Sequence, residues 1–483
     1  MSQIIQANQY FQQGNIKQAE QLYRQLLRQN PNDIDALWGL GKVALALDAY
    51  QASYDIFSRC IALQPQVAQL WLSFAQSCEK LRRFEETEQA LVHAYKLNQD
   101  YLPSLQALAA FYCQSNQLDQ ANEYLQAIVR CEPDNIQAFA LKVRIKSQVG
   151  FNDYTNMMLE KLTQSQASIS QHKQILLHYA FAQLFHQTGE VEQAFFHFKL
   201  ANDKQRSAIA LSVADMQDYF SSLISTFSAQ LIEHFSSNEP VKAPSLTPIF
   251  IVGQPRTGST LVEQMLSAHS DISSAGELPF FAGDIAQGIV QITGQEFPQG
   301  CQKLTPEQCQ SLGKHYLKNM QTLAPKAKFI IDKMPANYQS IGLIKMLLPH
   351  AKIIHITRDV KDVSWSIFSN HFAANEPYFC SFEDIAQYHQ NYQQVMMHWQ
   401  KVLPDYIHHI AYEELVINPK KILTKALSFC GLNFQNSCLN FSDQKSYIAT
   451  LSDVQLRAGL QVNRTKAWQK YQAFLPECFN ELK

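Results

Sequence analysis

A chain of 483 residues, 46% of them apolar and 17% charged, exceeds one ordinary core, so two or more globular domains are expected. Its formal net charge of −2 gives no electrostatic reason to expect nucleic acid or an anionic membrane as partner. No apolar run is long enough to cross a bilayer, and the first residues lack the basic leader and apolar core of a signal peptide.

Ten cysteines are scattered from Cys60 to Cys478 without a Cys-x-x-Cys pair or a Cys/His cluster at zinc spacing. They read as small buried hydrophobes in a reducing compartment. A cytoplasmic protein that needs no metal is the expectation.

From the N-terminus, Pro31, Pro65 and Pro133 fall on a 34-residue grid, with Gln99 in the remaining slot. Upstream on the same grid sit the small residues Ala19, Ser53, Thr87 and Ala121, each followed four positions later by Tyr23, Phe57, Leu91 or Leu125. Leu37, Trp71, Leu105 and Phe139 recur on the grid as large groove-filling side chains. A small residue lets two helices approach, a large one fills the groove between them, and proline ends the second helix. This pattern resembles the tetratricopeptide repeat.

The register fades after about residue 145 and returns around Ala182, Gly189 and Ala194, spaced like one more helical pair. Residues 1–205 are therefore expected to form an all-α solenoid of five or six units. Asp33 and Asp35 lie at a helix start, where acids cap and complement the dipole. Repeat arrays present concave surfaces, and two uses stay open: holding a peptide or protein acceptor, or self-association as a homodimer. Residues 206–245 are expected to be a helical connector ending in a linker rich in Ser, Asn and Pro.

The apolar β-branched run from Ile249 to Val252 reads as a buried strand. Gly253-Gln254-Pro255-Arg256-Thr257-Gly258-Ser259-Thr260 follows it, and then Leu261, Met265 and Leu266 recur at helical spacing. Strand, glycine-bounded loop and helix make the layout of a phosphate cradle, with backbone N–H groups and a helix N-terminus aimed at one anion. The spacing matches the nucleotide triphosphatase loop except that Ser259 occupies the lysine slot. That argues against ATP or GTP. Arg256, placed inside the loop, suits a nucleotide with a single 5′ phosphate carrying a transferable group.

These residues, followed by Ala268-His269-Ser270-Asp271-Ile272 and Gly276-Glu277, resemble the sulfotransferase superfamily, above all its tyrosylprotein sulfotransferase branch. The resemblance covers roughly the second half of the chain. It implies an α/β domain over residues 246–483 with a P-loop-like cradle on a parallel sheet. It also implies 3′-phosphoadenosine 5′-phosphosulfate as donor, with Arg256, Thr257, Gly258, Ser259 and Thr260 around its phosphosulfate. Glu277 matches the proposed general base of that branch, and attack by a hydroxyl does need a group that takes its proton. His269 reads as a packed helix-end residue.

Next in the chain, Phe329-Ile330-Ile331-Asp332-Lys333 reads as a strand with a charged exit, where open α/β sheets gather their active sites. Lys333 matches a family lysine that reaches the sulfonate. A further buried strand ends at Arg358, and Ser366 lies two turns into the helix beyond it, so both can face one pocket. In the family this pair holds the 3′ phosphate of the donor; His355 reads as core. Tyr412 matches a segment beside the nucleotide, and Ser452 a late loop that closes over it. That loop departs from the pattern at Gly459, where proline is expected, and at Ala467, where the branch has lysine.

The expected function is sulfuryl transfer to a hydroxyl of a protein tyrosine, a glycan or a small phenol, with Glu277, Arg256 and Lys333 as catalytic residues. The alternative is a non-catalytic repeat scaffold with a nucleotide-binding domain. A P-loop kinase is opposed by Ser259 and by the Arg358/Ser366 pair.

Overall fold

The computed structural model describes residues 2–145, 150, 152–164, 169–236, 246–372, 377–441 and 466–482. The expected linker residues 237–245 and the segment 442–465, with Ser452 and Gly459, lie outside them. Packing divides the chain into two units, Met1–Gln148 and Val149–Lys483.

In the first unit, helices come in antiparallel pairs at the predicted period: Gln3–Gln12 with Ile16–Gln29, Ile34–Ala46 with Tyr50–Leu63, Ala68–Lys80 with Phe84–Leu97, and Leu102–Gln114 with Leu118–Cys131. The grid residues Ala19, Ser53, Thr87 and Ala121 are buried, and so are Tyr23, Phe57, Leu91 and Leu125. Asp33 caps its helix by accepting from Ala36 N at 3.0 Å.

Close approach between paired helices is enforced at Gly41, where a Cβ would stand 2.4 Å from Cε1 of the fully buried Phe57. Gly41→Ala recovers about 1 kcal/mol of helix propensity, but overpacking a filled core costs about 1–3 kcal/mol. The variant is expected to unfold at lower urea concentration than the parent. An unchanged midpoint would show that the groove has slack.

In the second unit, a longer antiparallel pair, Gln171–Thr188 and Val191–Ser207, precedes the sheet domain. Its first helix buries a continuous run from Leu177 to Ala182, so it is enclosed rather than amphipathic. Three of the pair's amides reach carbonyls at or just past the end of the helix Val360–Phe368: Gln183 Nε2 donates to Ser369 O at 2.8 Å, Asn202 Nδ2 to Phe368 O at 2.9 Å and Gln205 Nε2 to Phe372 O at 3.0 Å.

Five parallel strands follow: β1 (Thr247–Gly253), β2 (Ile272–Ser274), β3 (Phe329–Asp332), β4 (Lys352–Thr357) and β5 (Ile407–Ala411), in the order β2-β3-β1-β4-β5. Helices cover the sheet, so β1 is buried from Pro248 to Gly253 and its sequence is nearly all apolar. The connection after β1 leads toward β2 and β3, and the one after β4 leads the other way to β5. The topological switch point therefore lies between β1 and β4, where open α/β sheets bind ligands beyond their carboxyl ends.

Candidate active site

The loop leaving β1 turns into the helix Ser259–Ser267 through two left-handed residues, Arg256 at φ 70° and Gly258 at φ 99°. Positive φ is costly for arginine, and the loop is held from behind. Thr257 Oγ1 donates to Gln254 O at 2.8 Å, and Gln254 Oε1 meets His389 Nδ1 at 3.0 Å. Tyr392, one helical turn past His389, hydrogen-bonds the Gln254 backbone and His355 Nε2. Burial pushes His389 down to about 4 and His355 to about 3, so both rings are neutral at pH 7 and support the loop without charge. Ser259 and Thr260 are buried at the helix mouth, and the first N–H groups of such a helix lack intrahelical acceptors.

Across the switch point, the end of β4 brings in Arg358 and the helix Val360–Phe368 brings in Ser366. Arg256 Nε donates to Ser366 Oγ at 2.8 Å, and an Nη of Arg358 donates to Arg256 O at 3.3 Å. Residues more than a hundred positions apart thus meet on one edge of the sheet. The Arg358 guanidinium lies 4.6 Å over the Tyr412 ring, and a Cβ on Gly258 would strike the same ring at 2.5 Å. Loop glycine and arginine thus both lie against the one aromatic ring.

A second cationic centre forms at the ends of β2 and β3. The Lys333 N–H donates to Gly276 O at 2.8 Å and extends the pairing of the two strands by one step. That register sets Lys333 Nζ directly on Glu277 Oε1. The Lys333 side chain is 1% exposed and that of Glu277 43%, so Glu277 stands at a wet rim. A drier carboxylate than Glu277 is Glu263, 5% exposed, which accepts from Ser274 Oγ at 2.5 Å and lies 3.8 Å from Lys333 Nζ.

Beneath these groups Asp332 is fully buried and accepts from Tyr316 OH at 2.9 Å. Burial drives its pKa up to about 7, against the Tyr316 hydrogen bond and Lys333; Glu263 and Glu277 add to the rise. The folded state therefore holds a proton that the unfolded chain releases above pH 3.8. This contribution to stability is complete below that pH and disappears as pH rises through 7. Asp332→Asn is expected to flatten the fall of the urea midpoint between pH 4 and 7, and parallel profiles would refute the assignment.

Of the residues singled out from sequence, Arg256, Thr257, Gly258, Ser259, Thr260, Arg358, Ser366 and Tyr412 form one cluster, and Lys333 with Glu277 forms the other. His269 is packed, meeting Asn433 O at 3.1 Å. Sequence reasoning missed Glu263, Asp362, His389 and Tyr392. Glu263 carries a signal: a lone carboxylate among Leu261, Val262, Met265 and Leu266. Asp362 stands one helical turn from Arg358 and pairs with it at 3.7 Å, while accepting from the Lys466 backbone at 2.6 Å. His389 and Tyr392 carry none, because their partner lies more than a hundred residues away.

Among the described residues no group of three or more His, Cys, Asp or Glu could hold a metal ion, and no helix is long and apolar enough to cross a membrane. A five-stranded parallel α/β domain with a glycine-bounded strand–loop–helix turn at its switch point defines the class of the second unit. Residues 248–436 match the sulfotransferase family, residues 7–48 a TPR repeat and residues 79–145 a tetratricopeptide repeat. The chain thus joins stretches that match tetratricopeptide repeats to one that matches the sulfotransferase family.

An uncharacterized protein of Aquifex aeolicus is 26% identical over 388 residues, which is 78% of this chain and 49% of that one. Protein-tyrosine sulfotransferase 1 of Danio rerio is 25% identical over 203 residues, 40% of this chain and 56% of that one. The chain thus spans about half the length of these relatives. Among solved structures, the sulfotransferase domain from the curacin biosynthetic pathway is 19% identical with a TM-score of 0.35, covering 49% of this chain and 95% of that one.

Proposed function

We propose that the protein transfers a sulfuryl group from 3′-phosphoadenosine 5′-phosphosulfate to an acceptor hydroxyl. The observation that carries this reading is the meeting of Arg256 with Ser366 at 2.8 Å and with Arg358 at 3.3 Å. It supplies two guanidiniums and a hydroxyl at the switch point, as a ligand with phosphate groups on the 3′ and 5′ positions of one ribose requires. The residues fit that donor. The loop N–H groups and Arg256 would hold the 5′ phosphosulfate, Arg358 and Ser366 the 3′ phosphate, and Tyr412 would flank the nucleotide.

The acceptor oxygen would attack sulfur as the bond from sulfur to the phosphate oxygen breaks. The bisphosphate departs with the electron pair, and Glu277 takes the acceptor's proton. Arg256 and Lys333 would stabilise negative charge on the sulfonate and the leaving oxygen, where fixed cations act most strongly. Glu277 at the rim is reachable from solvent, as a base for a bulky acceptor must be. A protein or peptide acceptor bound by the repeats is the reading that the tetratricopeptide half supports.

Calorimetry on the full chain tests the donor assignment. Adenosine 3′,5′-bisphosphate is expected to bind and ATP to bind far more weakly. Arg358→Ala should cost about 1.5–3 kcal/mol of that affinity, roughly 10–150-fold, as for a lost hydrogen bond to charge. Equal binding of both nucleotides, or an unaffected Arg358→Ala variant, would reject this donor.

A further inference from the structure

We propose that Glu263 is a positioning residue for the transfer step: the standing counter-charge that keeps Lys333 in place while Glu277 takes up a proton. The inference rests on the sulfuryl-transfer reading above and adds to it a residue on the loop helix.

Lys333 is 1% exposed, and a buried ammonium is retained only where carboxylates or hydrogen bonds compensate it. Two carboxylates lie within 4 Å of its Nζ, and their settings differ. Glu277 makes the closer contact but stands 43% exposed at the rim. Glu263 sits 3.8 Å away, 5% exposed, on the helix that the anion loop opens. Its other oxygen is fixed by Ser274 Oγ at 2.5 Å, and that hydroxyl in turn accepts from the Gly276 N–H at 3.1 Å.

A base that becomes neutral during the reaction withdraws its charge from Lys333 just as that ammonium faces the departing bisphosphate. With Glu277 as sole partner, proton uptake would strand a buried cation and oppose the step. Glu263 is 5% exposed on the loop helix and is tied to Ser274, away from the wet rim where an acceptor docks, so it has no part in taking the acceptor's proton. The step stays balanced: the acceptor's proton goes to Glu277, Lys333 keeps its own proton, and Glu263 exchanges none.

A double-mutant cycle separates this role from plain packing. Glu263→Gln is expected to lower kcat tenfold or more while the KM for donor stays within about twofold. Glu263→Asp should recover most of the loss. In a Lys333→Met background the Glu263→Gln change should cost nothing further. Equal losses in both backgrounds, or failure of Glu263→Asp to rescue, would overturn the proposal.

A crystal structure of the full-length Glu277→Gln protein reads the same idea without any turnover. Lys333 Nζ should close onto Glu263 to ordinary ion-pair distance, and a Lys333 swung out to solvent overturns the proposal. Should the parent protein bind no bisphosphate and transfer no sulfuryl group, the proposed function fails, while the crystal structure still decides whether Glu263 holds Lys333.

Discussion

Glu277→Gln is expected to lower kcat for sulfuryl transfer by about 10²–10⁴-fold, the usual contribution of a positioned general base. The affinity for adenosine 3′,5′-bisphosphate should be unchanged. The amide keeps the shape and volume of a side chain that is in contact with the Lys333 ammonium but removes its charge, so bulk is conserved and proton acceptance is lost. Single-turnover measurements with labelled donor, alongside calorimetry with the bisphosphate, separate the two. Turnover close to that of the parent would move the base elsewhere.

Gly258→Val is expected to have the next largest effect. At φ 99° a residue with a Cβ pays about 1–2 kcal/mol in backbone strain. The new Cβ would also lie 2.5 Å from Cδ2 of Tyr412, and overpacking of that kind costs about 1–3 kcal/mol more. Together they give about 2–5 kcal/mol, divided between lower thermal stability and weaker bisphosphate binding. Movement of Tyr412 would also disturb Arg358, which lies 4.6 Å over its ring. Retained affinity with an unshifted melting temperature would show that the loop and the ring are not in register.

What could be read from the sequence was what is local. The loop from Gly253 to Thr260 and the segment from Lys352 to Ser366 each declare strand, turn and helix within about fifteen residues, so their side chains could be placed by periodicity alone. The repeats were legible for the same reason, since Gly41 meets Phe57 within one helical pair. The adjacency of Lys333 and Glu277 was not legible. It follows from the register between β2 and β3, which a chain read in one dimension does not display. Nor were the partners of Glu263: a lone carboxylate on an apolar helix face marks an unusual position, but only the fold sets Ser274 and Lys333 beside it.

The pair Gln171–Thr188 and Val191–Ser207 repeats the solenoid's spacing at Ala182, Gly189 and Ala194. What spacing does not convey is what the pair packs on, and here that is the stretch just past Ser366.

That attachment bears on how the protein can be cut for study. A shortened version starting at residue 206 would strip three amide donors from the carbonyls of Phe368, Ser369 and Phe372. It would also remove the ring of His186 from Tyr471, whose hydroxyl it meets at 2.6 Å. A shortened version starting near residue 150 would leave every one of those interactions intact.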